Sequence, residues 1–111
     1  MDFLVQITTT LPPGMPAGER EELVAAERRR GRELVDAGVI RAIWRVPGAL
    51  RNVAIWAADD ATRLHELIMS LPASPWFTAD VVALAEHPLG RPDVSMGSRA
   101  TGASDSAKSG R

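Results

Sequence analysis

Two hydrophobic periods alternate along the chain, and the points where one gives way to the other mark its elements. Residues 2–10 are apolar and β-branched with a period of two, placing Phe3, Val5 and Ile7 on one face and Leu4, Gln6 and Thr8 on the other. This pattern predicts a strand, closed by the loop Leu11-Pro12-Pro13-Gly14. From about Gly18 the period becomes helical, with acids crowded into the first turns, where the helix dipole favours them. Ala37-Gly38 ends this helix, with glycine in the position after the last turn. Strands are predicted again at 39–46 and 52–57, joined by a turn through Pro47-Gly48-Ala49-Leu50-Arg51. Asp59 and Asp60 offer an N-cap to a second helix over 61–71, whose buried stripe is Ala61, Leu64, Leu67, Ile68 and Leu71. Pro72 stops that helix, and Pro72-Ala73-Ser74-Pro75 makes a rigid loop up to Trp76. Residues 77–86 carry helix-forming alanines, but Val81-Val82 and the preceding prolines favour a fourth strand.

The order βαββαβ is that of an α+β, ferredoxin-like fold: a four-stranded antiparallel sheet with two helices on one face. In the central hairpin, setting Val46 opposite Asn52 places Trp44 against Ala54 and Ala42 against Trp56, large against small on both rungs. That register puts Trp44 and Trp56 on one face and Ile43, Val53 and Ile55 on the other. Two helices cover only one of these apolar faces, so the chain is expected to oligomerise through its sheet, as a dimer at least. After His87-Pro88 the composition changes. Ser, Gly and Ala dominate 90–111, where no aromatic residue occurs, so a flexible tail is expected behind a single domain of residues 1–89.

The first helix carries one charge out of place. At about 100° per residue, Leu23, Val24, Gly31, Leu34 and Val35 fall within an arc of roughly 120°, and Glu27 projects near its middle. Glu21, Glu22, Arg28, Arg29, Arg32 and Glu33 point elsewhere, as a solvated face should. A carboxylate on an apolar stripe is costly unless something pairs with it or uses it. An internal salt bridge to an arginine, or a stripe wet at that point, is one reading; a functional carboxylate is the other.

Composition narrows the chemistry. Of the 111 residues, 45% are hydrophobic, enough for a soluble core, and with only 5% aromatic that core is mostly aliphatic. A net charge of −1 gives no general attraction to nucleic acid or to an anionic membrane surface. The run Arg28-Arg29-Arg30 is flanked by acids and reads as solvated. With no cysteine there is neither a disulfide nor thiolate chemistry, and His65 and His87 match no metal-ligand spacing. His65 lies at the edge of the second helix's stripe, a place where histidine more often packs than catalyses. No apolar run is long enough to span a membrane and no basic region precedes the first one, so a cytoplasmic protein is expected.

Leu11-Pro12, Met15, Glu27, Gly38, Trp44-Arg45, Gly48, Asn52, Leu64-His65, Met69, Leu71-Pro72, Pro75 and His87-Pro88 occur in one order and spacing. With these residues the chain resembles the muconolactone Δ-isomerase family over positions 1–88. The more specific runs are Trp-Arg-x-x-Gly-x-x-x-Asn from Trp44 and Met-x-Leu-Pro-x-x-Pro from Met69. The resemblance implies a ferredoxin-like fold and a cofactor-free shift of a lactone ring's double bond, from muconolactone to 3-oxoadipate enol-lactone, in aromatic-compound breakdown. It also implies a homo-oligomer, typically a decamer built of dimers, and a proton-transferring carboxylate at Glu27.

The residue types suit that chemistry. One carboxylate above the ring can take a proton from one carbon and return it to another, and burial raises its pKa toward the range where it does both. Asn52 or a backbone N–H is a plausible donor to charge growing on the lactone oxygen. Arg45 is the natural partner of the substrate's carboxylate, with Arg41 or Arg51 behind it. Trp44 and Leu50 are candidates to contact the substrate, although Trp44, Trp56 and Trp76 also read as core or interface residues. Arg45 reads equally as the partner that neutralises Glu27, and Asn52 as a residue that closes the hairpin turn. The chain departs from the family at Leu4 and Gln6, where typical members carry polar residues, often His and Lys. It departs again at Leu50, where an aromatic residue, commonly Tyr, is usual. These departures remove a cation and a hydroxyl from the expected pocket and open two alternatives. One is a paralogous isomerase or cyclase acting on another small lactone or polyketide-like ring; the other is a non-catalytic ligand-binding protein. Glu27 discriminates, since a binding module has no need of an unpaired carboxylate in an apolar pocket.

Overall fold

The strand nearest the N-terminus is one of the two central strands of the sheet. A computed structural model describes residues 1–90; residues 91–111, most of the expected tail, lie outside the described residues. The elements are β1 (Asp2–Thr9), α1 (Ala17–Asp36), β2 (Ile40–Arg45), β3 (Arg51–Ala57), α2 (Ala61–Met69), a short 3-10 turn (Ser74–Trp76) and β4 (Phe77–Leu84). All pairings are antiparallel, in the order β2-β3-β1-β4, and both helices lie on one face. This is the ferredoxin-like arrangement that the element order predicts.

The alternation in β1 sets the core. Phe3, Val5 and Ile7 are buried beneath the helices together with Ala54 and Trp56 of β3, Ile40 of β2, Leu34 of α1, and Leu64, Leu67 and Ile68 of α2. Burying an aliphatic side chain such as Val5 or Leu34 contributes about 1.5–3 kcal/mol. Trp56 fills the largest share, and its Nε1–H is the one buried side-chain polar atom without a partner among the described residues.

The helix ends follow from local chemistry. α1 closes in a Schellman motif: Gly38 N–H donates to Val35 O at 3.0 Å and Val39 N–H to Leu34 O at 2.9 Å. The φ of +78° at Gly38 is what admits this geometry, and Val39 then packs on the core beside Leu34. Asp60, rather than Asp59, caps α2, its Oδ1 accepting from Arg63 N–H at 2.8 Å, a contact worth about 1 kcal/mol. α2 stops at Met69, short of the expected Leu71. Ser70 Oγ donates to Leu67 O at 2.6 Å, and the proline at 72 disfavours helical backbone at Leu71.

The hairpin register differs from the expected one. Arg45 pairs with Asn52, Trp44 with Val53 and Ile43 with Ala54, while Ile40 pairs with Trp56 across an irregularity between Ile40 and Ala42. The extra residue, Arg41, forms a bulge that reverses the alternation beyond it. Ile43 and Arg45 therefore turn to the helix side, and Trp44 turns to the open face with Val53 and Ile55. Trp44 and Trp56 end on opposite faces. On the open face Trp44 and Val82 are each 54% exposed, so the bare apolar surface expected from the sequence is present with a different membership.

Candidate active site

α1 presents Leu23, Glu27, Arg30 and Leu34 inward, with Leu34 buried and the other three half-buried. Val24 and Val35, expected on the stripe, lie at its exposed margins. Glu27 thus faces the sheet beyond the hairpin end of the core. Its Oε1 accepts a 2.8 Å hydrogen bond from the Ala73 backbone N–H, which the loop after α2 delivers. Desolvation raises the Glu27 pKa above its ordinary 4.5, and the Ala73 hydrogen bond opposes part of that rise. Among the described residues the ion pairs join Arg30 to Glu33, Arg41 to Asp2 and Arg63 to Glu66. Neither Glu27 nor Arg45 belongs to any of them, so the internal salt bridge considered for Glu27 is not formed.

An open cleft of about 580 Å³ lies beside Glu27, within the usual range for small-molecule sites. Its walls are α1 (Leu23, Val24, Glu27, Arg28), the hairpin end (Ile43, Trp44, Arg45, Leu50, Arg51, Asn52), Thr9 at the end of β1, Leu11 after it, and Ala73. The bulge at Arg41 makes this wall, since it turns Arg45 to the side of Asn52 and Glu27. Asn52 lies within β3 opposite Arg45, and the turn is closed instead by Val46 N–H donating to Arg51 O at 2.9 Å. The turn reverses through Gly48, whose φ of +92° suits a residue without Cβ. The side-chain amide of Asn52 takes no part in the hydrogen bonds of the described residues, which leaves it free to donate.

The structure separates the three arginines nominated from the sequence. Arg45 faces the cleft. Arg51 borders it, but its side chain leaves by the opposite face, where Nε donates to Thr8 Oγ1 at 3.1 Å. Arg41 is outside the cleft, 3.8 Å from Asp2 at the far end of the sheet. Trp44 borders the cleft along the strand while its ring belongs to the open face, and Leu50 stands at the mouth, 55% exposed. Leu4 and Gln6 also lie on the open face, paired with Ile55 and Val53, and neither is in the wall of this cleft. His65 is exposed on α2 and is not in the cleft wall.

Two contributors escaped the sequence reading. Ala73 acts through its backbone N–H, which leaves no residue-type signal. In the arginine run at 28–30, Arg28 and Arg29 are exposed as expected, but Arg28 also lines the cleft, and half-buried Arg30 ties α1 to the end of α2. There Arg30 Nε donates to Ser70 Oγ at 3.0 Å, and its Nη1 lies 2.9 Å from Glu33 Oε1.

A half-buried carboxylate held by one backbone donor, facing a free amide and a free guanidinium, is equipped for proton transfer beside an anionic ligand. A family model for muconolactone delta-isomerase matches residues 1–89. The chain belongs to that family. The muconolactone delta-isomerases of Acinetobacter baylyi and Cupriavidus pinatubonensis are each 32% identical to it over 88 residues, covering 79% of this chain and 92% and 96% of theirs. The Rhodococcus opacus muconolactone delta-isomerase is 29% identical over 85 residues, 77% of this chain and 91% of its own. A crystal structure of muconolactone isomerase superposes with a TM-score of 0.76 at 30% identity, over 81% of this chain and 94% of that one. The relatives are isomerases, and the family match ends where the expected domain ends.

Proposed function

We propose that the protein is an isomerase that shifts the ring double bond of muconolactone, or of a close relative, by proton transfer through Glu27. The observation that carries this reading is the placement of Glu27: half-buried, paired with no cation among the described residues, and raised in pKa at the wall of a cleft. As a carboxylate it takes a proton from a carbon next to the ring's double bond. The electron pair moves into the ring and toward the lactone oxygen. Asn52 donates to that oxygen, and Glu27 then returns the proton to another ring carbon, restoring its own charge. The Ala73 N–H holds Oε1 throughout, fixing the carboxylate's orientation while Oε2 faces the ring. Arg45 receives the substrate's carboxylate. Every atom stays in the molecule, so the chemistry calls for no oxidant and no second substrate.

The same reading makes the working form a homo-oligomer that buries the open face of the sheet, a cytoplasmic decamer by the family resemblance. The exposed Trp44, Val82 and Leu84 on that face support it. A spectrophotometric assay with muconolactone tests the function directly. Conversion to the enol-lactone by the purified full chain is expected. Saturable binding of the lactone with no conversion would favour the non-catalytic alternative.

A further inference from the structure

The cleft is lined by polar and apolar groups alike, and part of its lip is aliphatic. Glu27 and Asn52, both half-buried, lie deep in its wall with half-buried Leu11 and Leu23 and buried Ala73, and the exposed Arg28 and Arg45 stand nearer the mouth. Val24 of α1 and Leu50 of the hairpin turn make that part of the lip, 38% and 55% exposed. Val24 lies one helical turn before Glu27, and Leu50 lies two residues before Asn52. The two aliphatic side chains therefore border the polar pair from opposite walls, each placed by the same backbone that places its polar neighbour.

The volume leaves something to accommodate. An apolar cavity of about 150 Å³ is enough to hold benzene, so a small lactone ring with its carboxylate arm leaves much of the roughly 580 Å³ unfilled. Part of the remaining space adjoins aliphatic side chains whose exposed surface gains from contact with hydrocarbon. We propose that the lip is a subsite for a hydrocarbon substituent on the substrate ring, with Leu50 as the residue that determines the preference. This rests on the isomerase reading of the same cleft and narrows its substrate class to alkyl-bearing, carboxylated lactones.

The test compares muconolactone with a muconolactone that carries a methyl or ethyl group on the ring, using the full chain. The wild type is expected to favour the alkyl-bearing lactone in kcat/KM by about 10-fold or more, as one or two methylenes in an apolar pocket allow. Leu50→Ser should bring that ratio close to one, and Leu50→Met should keep most of it. Equal turnover of the two lactones by the wild type, or a ratio unchanged in Leu50→Ser, overturns the proposal. So does a Leu50→Ser protein whose assembled mass falls while its ratio stays, because Leu50 is then a subunit contact. If neither lactone is turned over, the isomerase reading fails, and calorimetric binding of the same two lactones still reads the preference. A tighter Kd for the alkyl-bearing lactone, lost in Leu50→Ser, supports the subsite, and equal Kd values overturn it.

Discussion

Glu27 Oε1 accepts a hydrogen bond from the backbone N–H of Ala73 at 2.8 Å, a contact that joins the middle of α1 to the loop 46 residues later in the chain. It satisfies one oxygen of a carboxylate that desolvation would otherwise leave strongly disfavoured in its charged form. A backbone donor holds the group without neutralising it, which an arginine would do. The carboxylate therefore stays chargeable, and its pKa remains above the ordinary value because burial outweighs the single hydrogen bond.

This raised pKa fixes the sign of a stability effect. Folding favours the protonated form of Glu27, so its contribution to stability is fully present below the ordinary 4.5 and is lost as pH rises through the folded-state value. Gln at this position keeps an oxygen for Ala73 and carries no charge. Glu27→Gln should therefore have a higher Tm than the wild type at neutral pH, with the gap closing toward pH 4. Thermal melts across that range check it, and a gap that widens in acid would contradict the assigned shift.

Much of this architecture was legible in the sequence because it rests on local signals. The alternation of Phe3, Val5 and Ile7, the Gly38 stop and the aspartates before α2 each act within a few residues. The bulge at Arg41 was not legible. It sits in an unbroken alternating run with no glycine or proline to mark it, and the pairing of β2 with β3 decides it. One misplaced residue exchanged Ile43 and Arg45 for Ala42 and Trp44 across the sheet, so the site's wall could be named but not oriented. Glu27 was legible because a charge on an apolar stripe is an anomaly in any register. Arg28 was not, because on a helical projection it belongs with the solvated side.

Arg45→Met should weaken substrate binding more than it slows turnover. Arg45 has no ion-pair partner to abandon among the described residues, so its loss should remove mainly the contact with the substrate's carboxylate. A hydrogen bond to a charged group is worth about 1.5–3 kcal/mol, which corresponds to a rise in KM of roughly 10- to 150-fold. The melting curve should be nearly unchanged. A fall in kcat at constant KM would give Arg45 a role in the chemical step instead.

The open face of the sheet should be covered in solution. Light scattering at micromolar concentration is expected to return a multiple of 11.9 kDa, the mass of one chain. Val82→Asp, which puts a charge beside Leu4 on the face that also carries Ile55 and Trp44, should reduce that mass. A wild-type mass of one chain would remove the oligomer from the proposed function.

A chain ended after Leu89 should fold and turn over substrate as the full chain does. The family match closes at residue 89, and Ser, Gly and Ala dominate residues 90–111. Equal Tm and equal kcat/KM are expected. Loss of either assigns those residues a part in the domain or its assembly.

Replacing Glu27 by Gln separates structure from chemistry. Gln is nearly isosteric and can accept from Ala73 N–H through its own Oε1, so Glu27→Gln should fold, assemble and still bind lactone. It cannot shuttle a proton, and turnover should fall by about 10²- to 10⁴-fold, the range that positioned acid–base groups contribute. The wild-type rate should itself fall as acid protonates Glu27, with its midpoint above 4.5 because the folded-state pKa is raised. In D₂O, product from the wild type should carry solvent deuterium wherever the protonated carboxyl exchanges before it returns its proton. Rate profiles of both proteins on the substrate the wild type prefers supply the decisive comparison. A folded Glu27→Gln that turns over normally would take the proton from Glu27 and give it to another group in the cleft.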